Sequence, residues 1–381
     1  MSLIANWSYP TAVRFGNGRI NELAQACKSA GMAKPLVVTD RGLAKLPLVE
    51  TVREALASGG LASALFSDVD PNPTDANLEA GLDAYRRGAH DGVIALGGGS
   101  GLDLGKLIAF MHGQTRPVWD FEDIGDWWTR ADPDVIAPIV AVPTTAGTGS
   151  EVGRAGVLTN SHSRIKKIIF HPKMLPAVVI CDPELTVGMP PFITAGTGMD
   201  AFIHSLEAYS SPVYHPMSHG IALEGMRLVN DNLLRAYRNG GDLEARGHMM
   251  SDAAMGATAF QKGLGAMHAL SHPVGANYDT HHGTTNAVVM LSVLEFNRAA
   301  IEERIERLAA YLDIDGGFDG FVTHLRELNE SLGIPSTLGN LGVKSADWEL
   351  LASQAIEDPS AGTNPVPLTK DAALSIYESL I

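Results

Sequence analysis

The stretch Asp91-Gly-Val-Ile-Ala-Leu-Gly-Gly-Gly-Ser-Gly-Leu-Asp-Leu-Gly-Lys106 decides the fold of this chain. Its apolar run Gly92–Leu96 predicts a buried strand, and the segment Gly101–Met111 after the glycines predicts a helix. Glycines at such a junction let a ligand approach the backbone, and the open N–H groups of a helix N-terminus suit a phosphate. The pattern is neither a Rossmann fingerprint nor a P-loop. A tight turn that only relieves backbone strain is the alternative at this point.

The same alternation of strand and helix extends outward through the first half of the chain. Apolar runs predict strands at Pro35–Thr39, Ser63–Phe66, Gly92–Leu96, Pro138–Val142 and Ala177–Cys181, and amphipathic segments predict helices at Pro47–Ser58 and Thr74–Gly88. This alternation indicates right-handed βαβ units and a parallel sheet. We therefore expect an α/β domain over residues 1–187.

The second half of the chain has a different pattern, with almost no β-branched run suited to a strand. Helical periodicity is found at Thr194–Ser210, His215–Asn239, Asp242–Gln261, Gly263–Ala276, Thr284–Ala310 and Phe318–Ser331. We therefore expect an all-helical domain over residues 188–381.

Composition limits the classes of function. The chain has 381 residues and a formal net charge of −15, which argues against nucleic acid or an anionic membrane as a partner. Cys27 and Cys181 cannot form a disulfide framework, which favours a reducing compartment. The apolar runs of the chain fall far short of the ~20 residues that a membrane-spanning helix needs. No signal peptide is visible. A cytoplasmic protein is expected.

Two further polar features follow predicted strands. The loop Pro143-Thr-Thr-Ala-Gly-Thr-Gly-Ser-Glu151 combines four hydroxyls with two glycines, which suits a polar ligand. A turn capped by Ser and Thr is the alternative. Asp40 ends the first predicted strand, where a carboxylate can bind ribose hydroxyls and repel a 2′-phosphate. A simple turn or cap residue is the alternative for Asp40.

Histidine and aspartate recur at helical spacing in the second half. Asp200 and His204 stand at i, i+4, as do His268 and His272, and His282 follows His268 by 14 residues. Pro273 and Gly275 suggest that a loop brings His282 back toward the others. One carboxylate and three imidazoles can hold a divalent transition metal and leave a position for substrate oxygen. Capping or surface pairs are the alternative. His215, His219 and His248 are interpreted as structural.

Four motifs occur together in one order, and together they resemble the iron-containing (group III) alcohol dehydrogenase family. They are Gly97-Gly-Gly-Ser-x-x-Asp103-x-x-Lys106, Pro143-Thr-Thr-Ala-Gly-Thr-Gly-Ser-Glu151, Gly198-x-Asp200-x-x-x-His204 and His268-x-x-x-His272-(x)9-His282-Gly283. The resemblance runs from about Phe15 to Asn364-Pro365. It implies a dehydroquinate synthase-like fold, with an α/β dinucleotide-binding domain over residues 1–187, an all-helical metal-binding and catalytic domain over residues 188–381 and an active site in the cleft between them.

The resemblance also implies roles for individual residues. Asp200, His204, His268 and His282 would hold a divalent metal, usually Fe²⁺ and sometimes Zn²⁺, and His272 would be the non-ligand histidine of the active site. The positions that match NAD(H) contacts are Asp40, Asn72, Gly98, Gly99, Thr144, Thr145, Lys167 and Leu185, and the glycine-loop motif adds Ser100 and Asp103.

The function that follows is reversible hydride transfer between a primary alcohol or diol, with its aldehyde, and NAD(H). The metal would act as a Lewis acid, and His272 would relay the hydroxyl proton. A homodimer is implied by the resemblance. The alternatives are a metal-independent maleylacetate reductase, a sugar-phosphate or glycerol dehydrogenase or a dehydroquinate synthase of the same fold, and a non-catalytic NAD- or metal-binding protein.

Two positions depart from the family pattern. His281 stands where proline is common, which could change the polarity of the pocket or shift which histidine binds metal. The segment Ala361-Gly-Thr-Asn364 lacks the cysteine that many members carry. Neither departure removes a candidate ligand.

Overall fold

A computed structural model describes residues 11–163 and 165–381. The chain divides into two compact units. One contains the described residues up to 145 together with 149–187, and the other contains 146–148 and 188–381. Each unit has its own architecture.

The first unit is built on a six-stranded sheet in which every pairing is parallel. The strands of the unit are β1 Ala12–Phe15, β2 Leu36–Val38, β3 Ala64–Phe66, β4 Val93–Gly97, β5 Ile139–Pro143, β6 Ala155–Asn160, β7 Ile165–Phe170 and β8 Val178–Cys181. The sheet order is β1-β8-β5-β4-β2-β3, and β6 and β7 form a separate antiparallel hairpin. The parallel sheet predicted from the alternating pattern is therefore confirmed.

Four helices accompany this sheet: α1 Leu23–Ser29, α2 Pro47–Ser58, α3 Asp75–Gly88 and α4 Gly99–Met111. Strands β2, β4, β5 and β8 are buried along their whole length, as expected for a parallel sheet with both faces covered. Thr74 caps α3 through a capping box with Asn77, in agreement with the predicted N-terminus.

Glycines in α4 serve helix–sheet packing as well as the loop. A Cβ atom on Gly101 would lie 2.6 Å from the Leu96 carbonyl oxygen, and one on Gly105 would lie 2.7 Å from the Cβ atom of Ala95. Such distances are closer than real Cβ contacts. Part of the glycine content therefore lets α4 lie directly on β4.

The second unit is helical. Its helices are α5 Pro191–Ser210, α6 Pro216–Arg238, α7 Leu243–Ala259, α8 Ala266–Tyr278, α9 His282–Tyr311, α10 Gly317–Ser331, α11 Trp348–Glu357 and α12 Lys370–Glu378. Helix α5 is buried from Thr194 to Ser210 and packs against α6, α7 and α9. Within the described residues no strand follows Cys181, which confirms the predicted change from sheet to helix.

The loop that Pro273 and Gly275 suggested is not where the chain turns. Helix α8 continues through Pro273 and ends at Tyr278, and its C-cap Asp279 has a left-handed backbone with φ 53°. Proline removes one backbone donor from a helix, but tertiary contacts hold this one together. The Tyr377 hydroxyl donates to the Leu270 carbonyl at 2.6 Å in the turn before the proline.

None of the described helices is both long enough and apolar enough to cross a bilayer.

Candidate metal and dinucleotide sites

Three of the four predicted metal ligands meet inside the helical unit. Asp200 and His204 lie one turn apart on α5, and His268 comes from the first turn of α8. Their candidate donor atoms all lie within 4.8 Å of one another, and the three residues are 5% exposed or less. The i, i+4 spacing on a buried helix therefore points both side chains of α5 at one place, where His268 joins them.

The fourth predicted ligand, His282, joins this cluster from the N-terminus of α9. Its Nε2 atom lies 3.5 Å from Oδ1 of Asp200, and its ring centroid is 5.2 Å from that of His268. Gly283 permits this approach, because a Cβ atom there would lie 2.0 Å from the Gly196 carbonyl oxygen on α5. The close crossing of α5 and α9 thus brings His282 to Asp200.

His281, the residue beside it, has a different role. Its Nδ1 atom accepts a hydrogen bond from the Thr284 backbone N–H at 3.4 Å, so His281 is the N-cap of α9. Its backbone, at φ −65°, has the value that proline would also adopt. The structure therefore places His282, and not His281, beside Asp200.

Glu207 is a functional candidate that the sequence reasoning missed. Its Oε2 atom lies 2.6 Å from Nδ1 of His268, and Oε1 accepts the backbone N–H of Met267 at 2.6 Å. A carboxylate on Nδ1 fixes the tautomer of an imidazole and leaves the lone pair on Nε2. The available signal was its position three residues after His204, on the same side of α5.

Asn286 is the second missed residue, and its side-chain amide lies at the centre of the cluster. Its Nδ2 atom is 2.9 Å from Oδ1 of Asp200, 3.3 Å from Nε2 of His268 and 3.2 Å from Nε2 of His282. Three lone pairs therefore converge on one electropositive group. The available signal was the i, i+4 spacing of Asn286 from His282.

The electrostatics of the cluster favour a bound cation. Burial lowers the pKa of His204 to about 4 despite the carboxylates nearby, so the ring is neutral at pH 7. Burial also opposes protonation of His268, yet the charge and hydrogen bond of Glu207, with the charge of Asp200, raise its pKa. A raised pKa in a buried site reports excess negative charge, which a divalent metal would neutralise. The donor set therefore fits a divalent transition metal.

His272 lies next to the cluster, as expected from its position one turn after His268. Its ring stacks on that of His282, with centroids 5.1 Å apart and an interplanar angle of 13°. Its Nδ1 atom lies 2.7 Å from Oδ2 of Asp358, a third residue that the sequence reasoning missed. Asp358 lies 86 residues further along the chain, so no local spacing could have signalled the pair.

In the α/β unit, most of the positions matched to NAD(H) contacts collect at one edge of the sheet. Asp40, Asn72, Gly98, Gly99, Ser100, Thr144, Thr145 and Leu185 all follow the carboxyl ends of parallel strands. Gly98 is the N-cap of α4 and has no side chain that could accept a hydrogen bond. The backbone N–H groups in the first turn of α4 are therefore not capped by an N-cap side chain. A Cβ atom on Gly98 would lie 3.2 Å from Cγ2 of Thr145. The edge thus combines a backbone anion cradle with hydroxyl groups.

Asp103, Lys167 and Asp40 make hydrogen bonds or ion pairs with other groups of the protein. Oδ1 of Asp103 accepts a hydrogen bond from the Ser150 hydroxyl, and Oδ2 accepts one from the Val157 backbone N–H at 3.0 Å. Asp103 therefore holds the loop Pro143–Glu151 in place. Lys167 lies on the hairpin strand β7, and its Nζ atom is 2.9 Å from Glu122. Oδ1 of Asp40 accepts the backbone N–H groups of Gly42 and Leu43, so it also acts as a turn residue.

Comparison with known proteins gives a consistent result over the whole chain. The model of the family described as iron-containing alcohol dehydrogenase matches residues 10–183, and that of the C-terminal part of the Fe-containing alcohol dehydrogenase family matches residues 194–381. A 4-hydroxybutyrate dehydrogenase from Cupriavidus necator is 37% identical, with 98% of each chain covered. An NAD-dependent methanol dehydrogenase from Bacillus methanolicus is 35% identical, with 99% of this chain and 100% of that one covered. The crystal structure of a 1,3-propanediol oxidoreductase superposes with a TM-score of 0.94 at 34% identity, covering 99% of this chain and 100% of that chain.

The parallel sheet, the helical unit and the matches over nearly the whole chain define an alcohol dehydrogenase-type oxidoreductase. The chain belongs to the iron-containing alcohol dehydrogenase family. The family resemblance of the four sequence motifs and the oxidoreductase class are therefore confirmed.

Proposed function

We propose that this protein is a metal- and NAD-dependent dehydrogenase that interconverts a primary alcohol or diol with its aldehyde. The observation that carries the proposal is the convergence of Asp200, His204 and His268 within 4.8 Å in a buried site, with His282 beside them. Relatives whose names specify 4-hydroxybutyrate, methanol and 1,3-propanediol support small alcohols and diols as the substrate class.

Asp200, His204, His268 and His282 would hold the metal, with Fe²⁺ as the first candidate and Zn²⁺ as the second. When bound there, a divalent metal supplies Lewis-acid chemistry toward the alcohol oxygen. Glu207 supports the set, because its hydrogen bond to Nδ1 of His268 keeps Nε2 available as a donor. The Asn286 amide contacts Asp200, His268 and His282 at the donor atoms that would bind the metal, so it marks the place where those lone pairs converge.

His272 is the proposed acid–base residue. Asp358 accepts from its Nδ1 atom, which leaves Nε2 as the position that can take up or release a proton. Stacking on His282 holds the plane of the ring next to the cluster. A proton from the substrate hydroxyl would therefore be received at Nε2 of His272 and passed to solvent.

The proposed NAD(H) site is the strand-end edge of the α/β unit. The N–H groups of the first turn of α4 would receive the pyrophosphate. Asp40 follows β2, which pairs with β4, and the glycine loop follows β4. The direction of chain progression across the sheet reverses between these two strands, and ligands of open α/β sheets bind at such points. We accordingly assign residues 1–187 to NAD binding and 188–381 to metal binding and catalysis.

Metal analysis combined with a substrate panel tests this function. The purified protein is assayed for Fe and Zn, and reduction of NAD by primary alcohols and diols is followed by the absorbance of the reduced nicotinamide. Treatment with a chelator should abolish activity, and Fe²⁺ or Zn²⁺ should restore it. Full activity in protein stripped of metal would overturn the proposal, and would favour the metal-independent maleylacetate reductase chemistry instead.

The cellular setting is part of the same proposal. Cys27 and Cys181 are buried free thiols, and burial raises the pKa of Cys27 to about 12, so neither is poised to form a disulfide. This supports a cytoplasmic, reducing environment. A homodimer is the proposed assembly, and light scattering coupled to size-exclusion chromatography tests it.

A further inference from the structure

Four charged residues form a cluster at the ends of β2 and β3, which we call the strand-end charge cluster: Asp40, Arg41, Asp68 and Asp70. The two strands are parallel neighbours, with Val38 opposite Phe66, so their carboxyl ends lie side by side. With three carboxylates and one guanidinium, the formal charge of the cluster is −2.

The one positively charged residue of this cluster, Arg41, forms ion pairs with Asp68 and Asp70. Arg41 donates from Nε to Oδ1 of Asp68 at 2.8 Å, and it also contacts Oδ1 of Asp70. Asp70 is itself held in place, since its Oδ2 atom accepts from the Asn77 amide at 3.0 Å. The side chains of Arg41, Asp68 and Asp70 are 57%, 53% and 39% exposed. Exposed ion pairs contribute little to folding stability. The main effect of these ion pairs is therefore to fix the position of charged groups at the ends of β2 and β3.

The strand-end charge cluster lies where the ribose of a bound dinucleotide is expected. Asp40 precedes Arg41 directly, and the strand that it ends lies between β3 and β4 in the sheet. If phosphates sit at the glycine loop after β4, the adjoining ribose lies at the end of β2, and its 2′ position faces Asp40. An arginine at this position would be expected to attract a 2′-phosphate.

We infer that Asp68 and Asp70 are specificity-determining residues, which withhold Arg41 from a 2′-phosphate and add negative charge where that phosphate would lie. The inference rests on the proposed function, since it assumes that a dinucleotide occupies this edge. It assigns the preference for NAD over NADP to three carboxylates and a restrained arginine, and not to Asp40 alone.

The test compares binding of NADH and NADPH, measured by calorimetry or by nicotinamide fluorescence. In the double variant Asp68→Asn/Asp70→Asn, two repulsive charges are removed and Arg41 is released, so NADPH affinity should rise roughly tenfold or more. NADH affinity should change by less than about threefold, because NADH has no charge at the 2′ position. Adding Arg41→Ala to the double variant should remove most of the gain.

A matched control is Glu79→Gln/Asp83→Asn, which removes two exposed carboxylates from α3 in the same unit. The inference is overturned if the strand-end double variant gains no NADPH affinity, or if the control or the Arg41→Ala triple variant gains as much. These outcomes leave the proposed function standing as long as the unmodified protein binds NADH. If the unmodified protein binds neither nucleotide, the proposed function fails together with the inference.

Discussion

Nδ1 of His272 and Oδ2 of Asp358 lie 2.7 Å apart, and both side chains are mostly buried. Burial alone would raise the pKa of Asp358, but the charge and hydrogen bond of His272, with hydrogen bonds from Ser360, lower it overall. Asp358 is therefore a carboxylate at neutral pH. A carboxylate on one ring nitrogen orients the imidazole and favours proton uptake at the other nitrogen.

The first prediction concerns this pair. Asp358→Asn should lower kcat by about 10²-fold, because it removes the carboxylate that accepts from Nδ1 of His272 and so fixes the orientation and tautomer of the ring. Its metal content should stay that of the unmodified protein, since Asp358 touches no proposed ligand atom. The neighbouring exposed residue provides the control, and Glu357→Gln should leave kcat unchanged. Equal kcat in the Asp358→Asn and unmodified proteins would argue against a positioning role.

The second prediction concerns Glu207. In Glu207→Gln the amide can donate to Nδ1 of His268, which moves the ring proton to Nε2 and removes a metal lone pair. We expect metal affinity to fall about 10- to 100-fold, measured by competition with a chromogenic chelator. Glu330→Gln on α10 changes an exposed glutamate in the same unit and should bind metal normally. Unchanged affinity in Glu207→Gln would remove Glu207 from the support of the site.

The third prediction uses two adjacent histidines as a matched pair. His282→Ala should lose most of the bound metal, because it removes a donor 3.5 Å from Asp200. His281→Ala should retain the metal and lose only about 1 kcal/mol of stability, as expected for a lost N-cap. Elemental analysis and chemical denaturation of the two variants measure both quantities. The reverse pattern of metal loss would show that His281 is the ligand.

The fourth prediction concerns the crossing of α5 and α9. Gly283→Ala places a methyl group 2.0 Å from the Gly196 carbonyl oxygen and 2.8 Å from Cβ of Asp200, so the helices must separate. We expect a loss of about 2–3 kcal/mol in the free energy of unfolding. Gly220→Ala is the control, because nothing lies within 4 Å of its Cβ position on α6, and alanine should stabilise that helix by about 0.5–1 kcal/mol. A Gly283→Ala protein as stable as the parent would contradict the close packing.

The fifth prediction is a pH dependence of stability. Burial raises the pKa of Glu151 from its ordinary value of 4.5 to about 7, although Lys106 opposes the shift. The folded state therefore holds the Glu151 proton more tightly than the unfolded state, and this contribution to stability is lost as pH rises from about 4.5 to about 7. Relative to the parent, Glu151→Gln should gain about 1–3 kcal/mol between pH 5 and pH 8. Urea unfolding of both proteins across this range provides the measurement, and a constant difference would contradict it.

Local patterns predicted those elements whose evidence lies within a few residues. Helix α2 begins at Pro47 and ends at Ser58, as predicted, because proline favours the first turn and glycine follows the last. The short edge strand β1 was not predicted, since its exposed residues show no apolar alternation. Nor was the β6–β7 hairpin, in which Lys166 and Lys167 interrupt the apolar run. Helices α11 and α12 were also missed.

By itself the sequence determined the two-part architecture, the glycine loop and the candidate donors, because helix and strand periods are local and the donor pairs lie one turn apart. Only the tertiary structure decided that His282 rather than His281 faces Asp200, and that Asp103 supports a loop. It also supplied Glu207, Asn286 and Asp358 as partners of the candidate histidines. These outcomes depend on where helices cross and which strand ends adjoin. Such contacts join residues as much as 86 positions apart, and no local spacing encodes them.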